Sequence, residues 1–194
     1  MNPAITLPEA TPAQRRRGRL QLILILAVVI APMILASAMY QWRFWVPETR
    51  SYHGALIGNG QSRADLGIAA ATETRWQLLV TVPQACDSAC KELVFLARQI
   101  HIGLNRDVSR ASHALAVAQP LTADYDAQLQ REYPQLTRYQ LELDAYGKTA
   151  GEASGAQLWI VDPHGNLVLR YDATSKGKEI LNDLRHLLKI SQIG

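Results

Sequence analysis

The chain is poor in cysteine: among its 194 residues only Cys86 and Cys90 are cysteines. A disulfide framework is thereby excluded, and three readings of the pair stay open: a structural clip, a redox couple, or half of a metal site. Net charge is also scarce. The formal value is +3, and Arg15, Arg16, Arg17 and Arg19 stand together just ahead of an apolar run. The small basic excess therefore reads as a topology signal, and a nucleic-acid surface is not expected. The chain shows no internal repeat, no phosphate-binding loop, no Ser-His-Asp set and no paired catalytic carboxylates. Its length allows one domain of ordinary size plus a short extra segment.

Charge is missing altogether from Leu20 to Trp42. At a helical rise of about 1.5 Å per residue, such a run crosses a hydrocarbon layer of roughly 30 Å. The arginines ahead of it place the N-terminal end in the cytoplasm. Tyr40, Trp42, Phe44 and Trp45 form an aromatic cluster suited to the far interface. The small residues Ala36, Ser37 and Ala38 also fit a signal-peptidase site, but the apolar run exceeds an ordinary signal core, so an uncleaved anchor is the better reading. Both cysteines then face an exported compartment, a bacterial periplasm, where thiols are oxidised unless something keeps them reduced or metallated. The expected location is the bacterial inner membrane, crossed once.

Residues 1–14 have little periodicity and two prolines, and are expected to form a disordered cytoplasmic tail, which with the arginines extends to residue 19. Residues 43–74 mix Gly, Ser, Thr and small side chains without a sustained period, and read as a linker that holds the domain clear of the headgroups or wraps its edge. The ordered domain is expected over residues 75–194. Its first element, Arg75 to Val82, is apolar and β-branched and reads as a buried strand ended by Pro83. Cys90, Leu93, Val94, Ala97, Ile100 and Leu104 then recur at spacings of three and four, giving an amphipathic helix. Ser112 to Ala118 reads as a second strand, parallel to the first through a helical crossover. Thr122 to Tyr133 is a helix ended by Pro134; Thr137 to Leu143 is a short alternating stretch of open type. Two apolar runs around Asp162, Pro163, His164 and Gly165 make a β-hairpin. A last helix, Lys178 to Lys189, carries Ile180, Leu181, Leu184, Leu187 and Leu188 on one face.

Strand, helix, strand, helix, hairpin, helix, with cysteines between the first strand and its helix, is the organisation of a thioredoxin-like domain: an α/β fold with a central mixed sheet flanked by helices. The segment "ACDSAC" has the CxxxC spacing of the Sco/SenC family, and "LWIVDPHGNLVLRYDA" is similar to that family's late hairpin. The chain thus resembles a membrane-anchored Sco-like protein over about residues 75–190. It departs from the family in having Asp87 and Lys91 where prolines usually follow the cysteines. "AYGKTAGEASGAQLW" also contains no histidine where the family places a copper ligand.

Cys86 in the loop and Cys90 in the first helical turn both approach a helix N-terminus, whose free amides and dipole stabilise thiolate. Soft thiolates select Cu(I), and the same two sulfurs can close a disulfide. Asp87 would raise the thiol pKa by like-charge repulsion and Lys91 would lower it. His113 is expected in the core or on the sheet, His53 in the linker and His186 on the polar side of the last helix. His101 lies about 16 Å along the helix from Cys90. His164, in the hairpin turn, is the one substitute third metal ligand.

What the resemblance implies is assistance to respiratory cytochrome oxidase assembly, by copper handling or by thiol-disulfide exchange at Cys86 and Cys90. The implied partners are the membrane, an oxidase copper-receiving subunit or other assembly factors. The alternative is a non-catalytic binding module with a structural disulfide. Topology is directly testable: a reporter fused after Gly60 should be active only in its exported form, and cytoplasmic activity there would remove the compartment argument.

Overall fold

The computed structural model describes residues 12–42, 52–68, 72–151 and 155–191. Two compact units result, Met1–Arg50 and Ser51–Gly194. In the first, helix α1 runs Pro12–Trp42. Within it Arg16–Met39 is long and apolar enough to cross a membrane. Helix thus begins at Pro12, inside the segment expected to be a tail, while Phe44 and Trp45 lie outside the described residues.

The second unit is built on six strands: β1 Ala55–Leu56, β2 Trp76–Val82, β3 Ala111–Val117, β4 Thr137–Gln140, β5 Gln157–Val161 and β6 Leu167–Tyr171. Their order across the sheet is β1-β6-β5-β2-β3-β4. Strands β2, β3 and β4 are parallel, and β5, β6 and β1 run antiparallel to their neighbours. The helices are α2 Ser88–Gly103, α3 Ala123–Glu132, α4 Leu143–Ala150 and α5 Gly177–Ile190, with a 3-10 turn over Asn105–Arg110. The alternating stretch expected over 137–143 divides into strand β4 and the start of α4.

Every residue of β2 is buried, as a central strand covered on both faces requires. Its even-numbered apolar residues Leu78, Val80 and Val82 join Leu93, Val94 and Ala97 of α2, Tyr125 and Leu129 of α3, and Ile180 and Leu184 of α5. On the opposite face Leu79 packs with Ala114, Trp159 and Tyr146. There Trp159 Nε1 donates to Thr81 Oγ1 at 2.8 Å, and Thr81 Oγ1 lies 3.1 Å from the Tyr146 hydroxyl. Leu167 and Leu169 lie in opposite layers although they are two residues apart. A register shift between Ile160 and Val161 is the cause, since it breaks the alternation of faces.

The segment read as linker belongs in part to the fold. Strand β1 pairs with β6, and Leu167 N donates to Gln61 O at 2.8 Å. Leu66 and Ile68 are buried in the second layer. Full burial of side chains of this size contributes about 1.5–3 kcal/mol each. The buried Arg63 donates to Gln77 Oε1 at 3.1 Å and to Glu73 O at 2.8 Å. Gly165, at φ +88°, lets the hairpin turn pass close to that guanidinium.

Asp183 fastens the start of this segment. Its side chain, on α5, is 2% exposed. It accepts from His53 N at 2.7 Å, Gly54 N at 3.2 Å and the Tyr171 hydroxyl at 2.7 Å, and its Oδ1 lies 2.8 Å from His53 Nδ1. Gly54 is required there, because a Cβ would stand 2.6 Å from the Tyr171 ring. Burial alone would raise the Asp183 pKa, but the bonds from His53, Tyr171 and Gly54 hold it below the ordinary carboxylate value. The same hydrogen bond raises the His53 pKa above 6.5.

Asp183→Ala should destabilise the protein by about 2–4 kcal/mol in denaturant titration, because several donors lose one buried acceptor. His53, raised in the folded state, contributes stability that is complete below pH 6.5 and is lost as pH rises through its folded pKa. The stability gap between wild type and His53→Gln should therefore be larger near about pH 5.5 than near about pH 8.5.

Candidate functional site

Strand β2 ends at Val82, and Pro83, which cannot donate to a ladder, helps turn the chain out of the sheet. Residues 83–87 make the loop, and α2 starts at Ser88. Cys86 and Cys90 are joined in a disulfide with S–S 1.93 Å and Cα–Cα 5.2 Å. The two sulfurs differ in setting. Cys90 is fully buried in the layer of α2, whereas Cys86 is only partly buried against it.

Asp87 is the N-cap of α2: its carboxylate accepts from Cys90 N at 3.0 Å. The residue expected to act on the thiols as a nearby charge therefore also holds one of the terminal amides that would otherwise face a thiolate. Its signal was present in the sequence as an Asp directly before an apolar-periodic run. Lys91 points its ammonium at the Tyr125 ring, 5.0 Å from the centroid, and so ties α2 to α3.

His164 does not join the cysteines. In the β2–β5 ladder Gln157 stands opposite Thr81 and Val161 opposite Gln77. The turn that follows Val161 is therefore at the Trp76 end of β2, while the cysteines follow the Val82 end. Seven strand residues separate the ends, roughly 20 Å at about 3.3 Å per residue. At its own end, His164 N donates to Asp162 Oδ1 at 2.9 Å within an exposed turn. Among the described residues no group of three or more His, Cys, Asp and Glu side chains converges on a metal position.

The remaining histidines fall as structural residues. His53 is held by Asp183, and His186 meets the Tyr52 ring edge-on, with centroids 5.5 Å apart. His101 and His113 have ring centroids 4.9 Å apart. His101 Nε2 lies 3.1 Å from Val108 O and 3.0 Å from Ala111 O. Burial, aided by the charges of His101 and Arg98, pushes the His113 pKa down to about 4.

The sheet order, the crossover from β2 through α2 to β3, and a disulfide at the entry of α2 define a thioredoxin-like domain, carried in a chain whose N-terminal helix can span a membrane. A family described as "Transmembrane-like, thioredoxin-like, C-terminal domain" matches residues 76–191, and one described as "Transmembrane-like, N-terminal domain" matches residues 12–43. The chain belongs to this transmembrane-like, thioredoxin-like family. No curated protein matches it. Among solved structures, Arabidopsis thaliana ScoI with copper bound is 10% identical, with TM-score 0.44 over 59% of this chain and 86% of that one. Yeast Sco1 with copper bound is 12% identical, with TM-score 0.49 over 61% and 81%. A thiol:disulfide interchange protein from Bacteroides sp. is 11% identical, with TM-score 0.45 over 61% and 76%.

The double role of Asp87 can be separated. Asp87→Asn keeps a capping oxygen and should lower the thiol pKa of the reduced pair, read from thiolate ultraviolet absorbance, with little change in stability. Asp87→Ala should destabilise the domain by about 1 kcal/mol.

Proposed function

We propose that the chain is a membrane-tethered protein of the bacterial inner membrane whose periplasmic domain exchanges the Cys86–Cys90 disulfide with thiols of exported proteins, in assistance to respiratory cytochrome oxidase assembly. The observation that carries this reading is the asymmetry of the pair: Cys86 is partly exposed and Cys90 buried, at the N-terminus of α2. A partner thiolate attacks Cys86 Sγ, forming a mixed disulfide while the Cys86–Cys90 bond breaks. The electron pair leaves on Cys90 Sγ, in the first turn of α2, where the helix dipole favours negative charge although the Cys90 amide itself is held by Asp87. A second partner thiolate then attacks the partner's sulfur in the mixed disulfide and releases Cys86 as thiolate. The partner's dithiol is oxidised and the pair reduced; the reverse sequence reduces a partner disulfide. The oxidase connection and the copper-receiving subunit as partner rest on the resemblance to Sco proteins.

Copper as cargo is the second reading. It is favoured by two soft sulfurs four residues apart, which select Cu(I) once reduced. The described residues supply no third ligand near them, so redox exchange is the reading that the chain's own side chains support better. A binding module with a merely structural clip is the other alternative. Closing so short a loop stabilises the fold by no more than about 2 kcal/mol, which is a weak reason for such a bond.

The classes separate by replacement. Cys86→Ser, Cys90→Ser and the double variant should all accumulate normally yet fail to restore oxidase activity in cells lacking the wild-type chain. Full activity from the double variant at equal abundance would establish the binding module instead.

A further inference from the structure

At the sheet end away from the disulfide, the 3-10 turn and the last turns of α5 enclose an open cleft of about 420 Å³. Arg106, Arg110, Arg185 and Lys189 line it, and Asp107 is the single carboxylate among its described lining residues. Such crowding is unusual for a chain whose formal net charge is only +3, with Arg15, Arg16, Arg17 and Arg19 gathered at its other end. Two of the four cations have partners in helix ends. Arg185 Nη2 donates to Gly103 O at 2.7 Å, and Arg110 donates to Leu188 O at 3.0 Å and Ser191 O at 3.1 Å. Carbonyls carry only partial charge, and Asp107 stands 3.6 Å from Arg110, so among the described lining residues cationic side chains outnumber carboxylates.

Apolar side chains border the same end. Ile102 is 52% exposed, Val108 37% and Ile190 59%. Val108 lies within the 3-10 turn, and Ile190 follows Lys189. Ile102 and Val108 line two further clefts, distinct from the cationic one. A domain end that carries both a cationic cleft and exposed aliphatic groups suits a bilayer surface, where headgroups supply anions and the interface accepts apolar side chains. A small soluble anion would need the charges alone. The chain also carries a helix of membrane-spanning length, which holds the domain at high local concentration near lipid.

We infer that this end of the domain is a docking surface for anionic phospholipid headgroups, engaged through Arg106, Arg110, Arg185 and Lys189 with Ile102, Val108 and Ile190 at the interface. Docking by this end turns Cys86 and Cys90 away from the headgroups, since β2 separates the two ends by about 20 Å. The docking does not depend on what the disulfide does.

The test uses the full chain, labelled at isoleucine methyl groups, in lipid nanodiscs that carry a nitroxide on a fraction of headgroups. In discs with about 30% phosphatidylglycerol in phosphatidylcholine, Ile102 and Ile190 should be broadened at least about fivefold more than in phosphatidylcholine alone, with the core residue Ile160 unaffected. Arg106→Glu combined with Lys189→Glu, two exposed positions outside the helix-end hydrogen bonds, should remove the difference while the Ile160 resonance stays in place. High salt should also remove it. Equal broadening in both kinds of disc, or broadening that survives the double variant, would overturn the proposal. Equal broadening in both kinds of disc, together with shifts of the Ile102 and Ile190 methyl resonances on adding millimolar glycerol phosphate at constant ionic strength, would assign the cleft to a soluble phosphate ligand and overturn the lipid reading.

Discussion

The complete burial of β2 is the constraint on which the rest of the domain depends. A strand covered on both faces needs two layers, and the helices and the 61–68 segment are those layers. Its parallel neighbour β3 needs a crossover, which α2 supplies. Because the chain must leave β2 at Val82 and re-enter as a helix, the cysteines fall where loop meets helix terminus. The chemistry of the pair is therefore a product of the topology: a partly exposed sulfur in the loop and a buried one under the helix.

The same strand sets a polarity on the domain. At one end lie the disulfide and the Asp87 cap. At the other lie the hairpin turn with His164 and the cationic cleft. Nothing placed at the second end can act directly on the sulfurs, which is why His164 is a turn residue and no third ligand. Asp87 weighs against strong thiolate stabilisation, since its carboxylate occupies the Cys90 amide. The capping bond and the charge act on the pair through separate physical effects, one on the helix and one on the thiol.

Asp183 joins elements far apart in the chain. A buried carboxylate is tolerated only when several donors reach it, and here they come from His53, Gly54 and Tyr171. The clamp seats residues 52–57 against α5 and β6, and Arg63 and Leu66 continue the attachment onto the sheet. Segment 52–68 is thus part of the folded unit.

Local pattern determined much of this in advance. An uncharged run announced α1, continuous apolarity announced β2, and spacings of three and four announced α2 and α5. Turn chemistry at Asp162–Gly165 announced the hairpin, and from these the thioredoxin-like order followed. Periodicity tells which face of an element is buried but not what it meets. The pairing of β1 with β6, the burial of Leu66 and Ile68, and the meeting of His101 with His113 join residues distant in sequence, so no local signal marks them. Nothing in the sequence around Asp183 marks its donors, which come from residues 53, 54 and 171 and meet it only in the fold. The end of the sheet on which His164 falls was likewise decided only by strand direction, because an antiparallel ladder carries the hairpin turn away from the C-terminal end of β2.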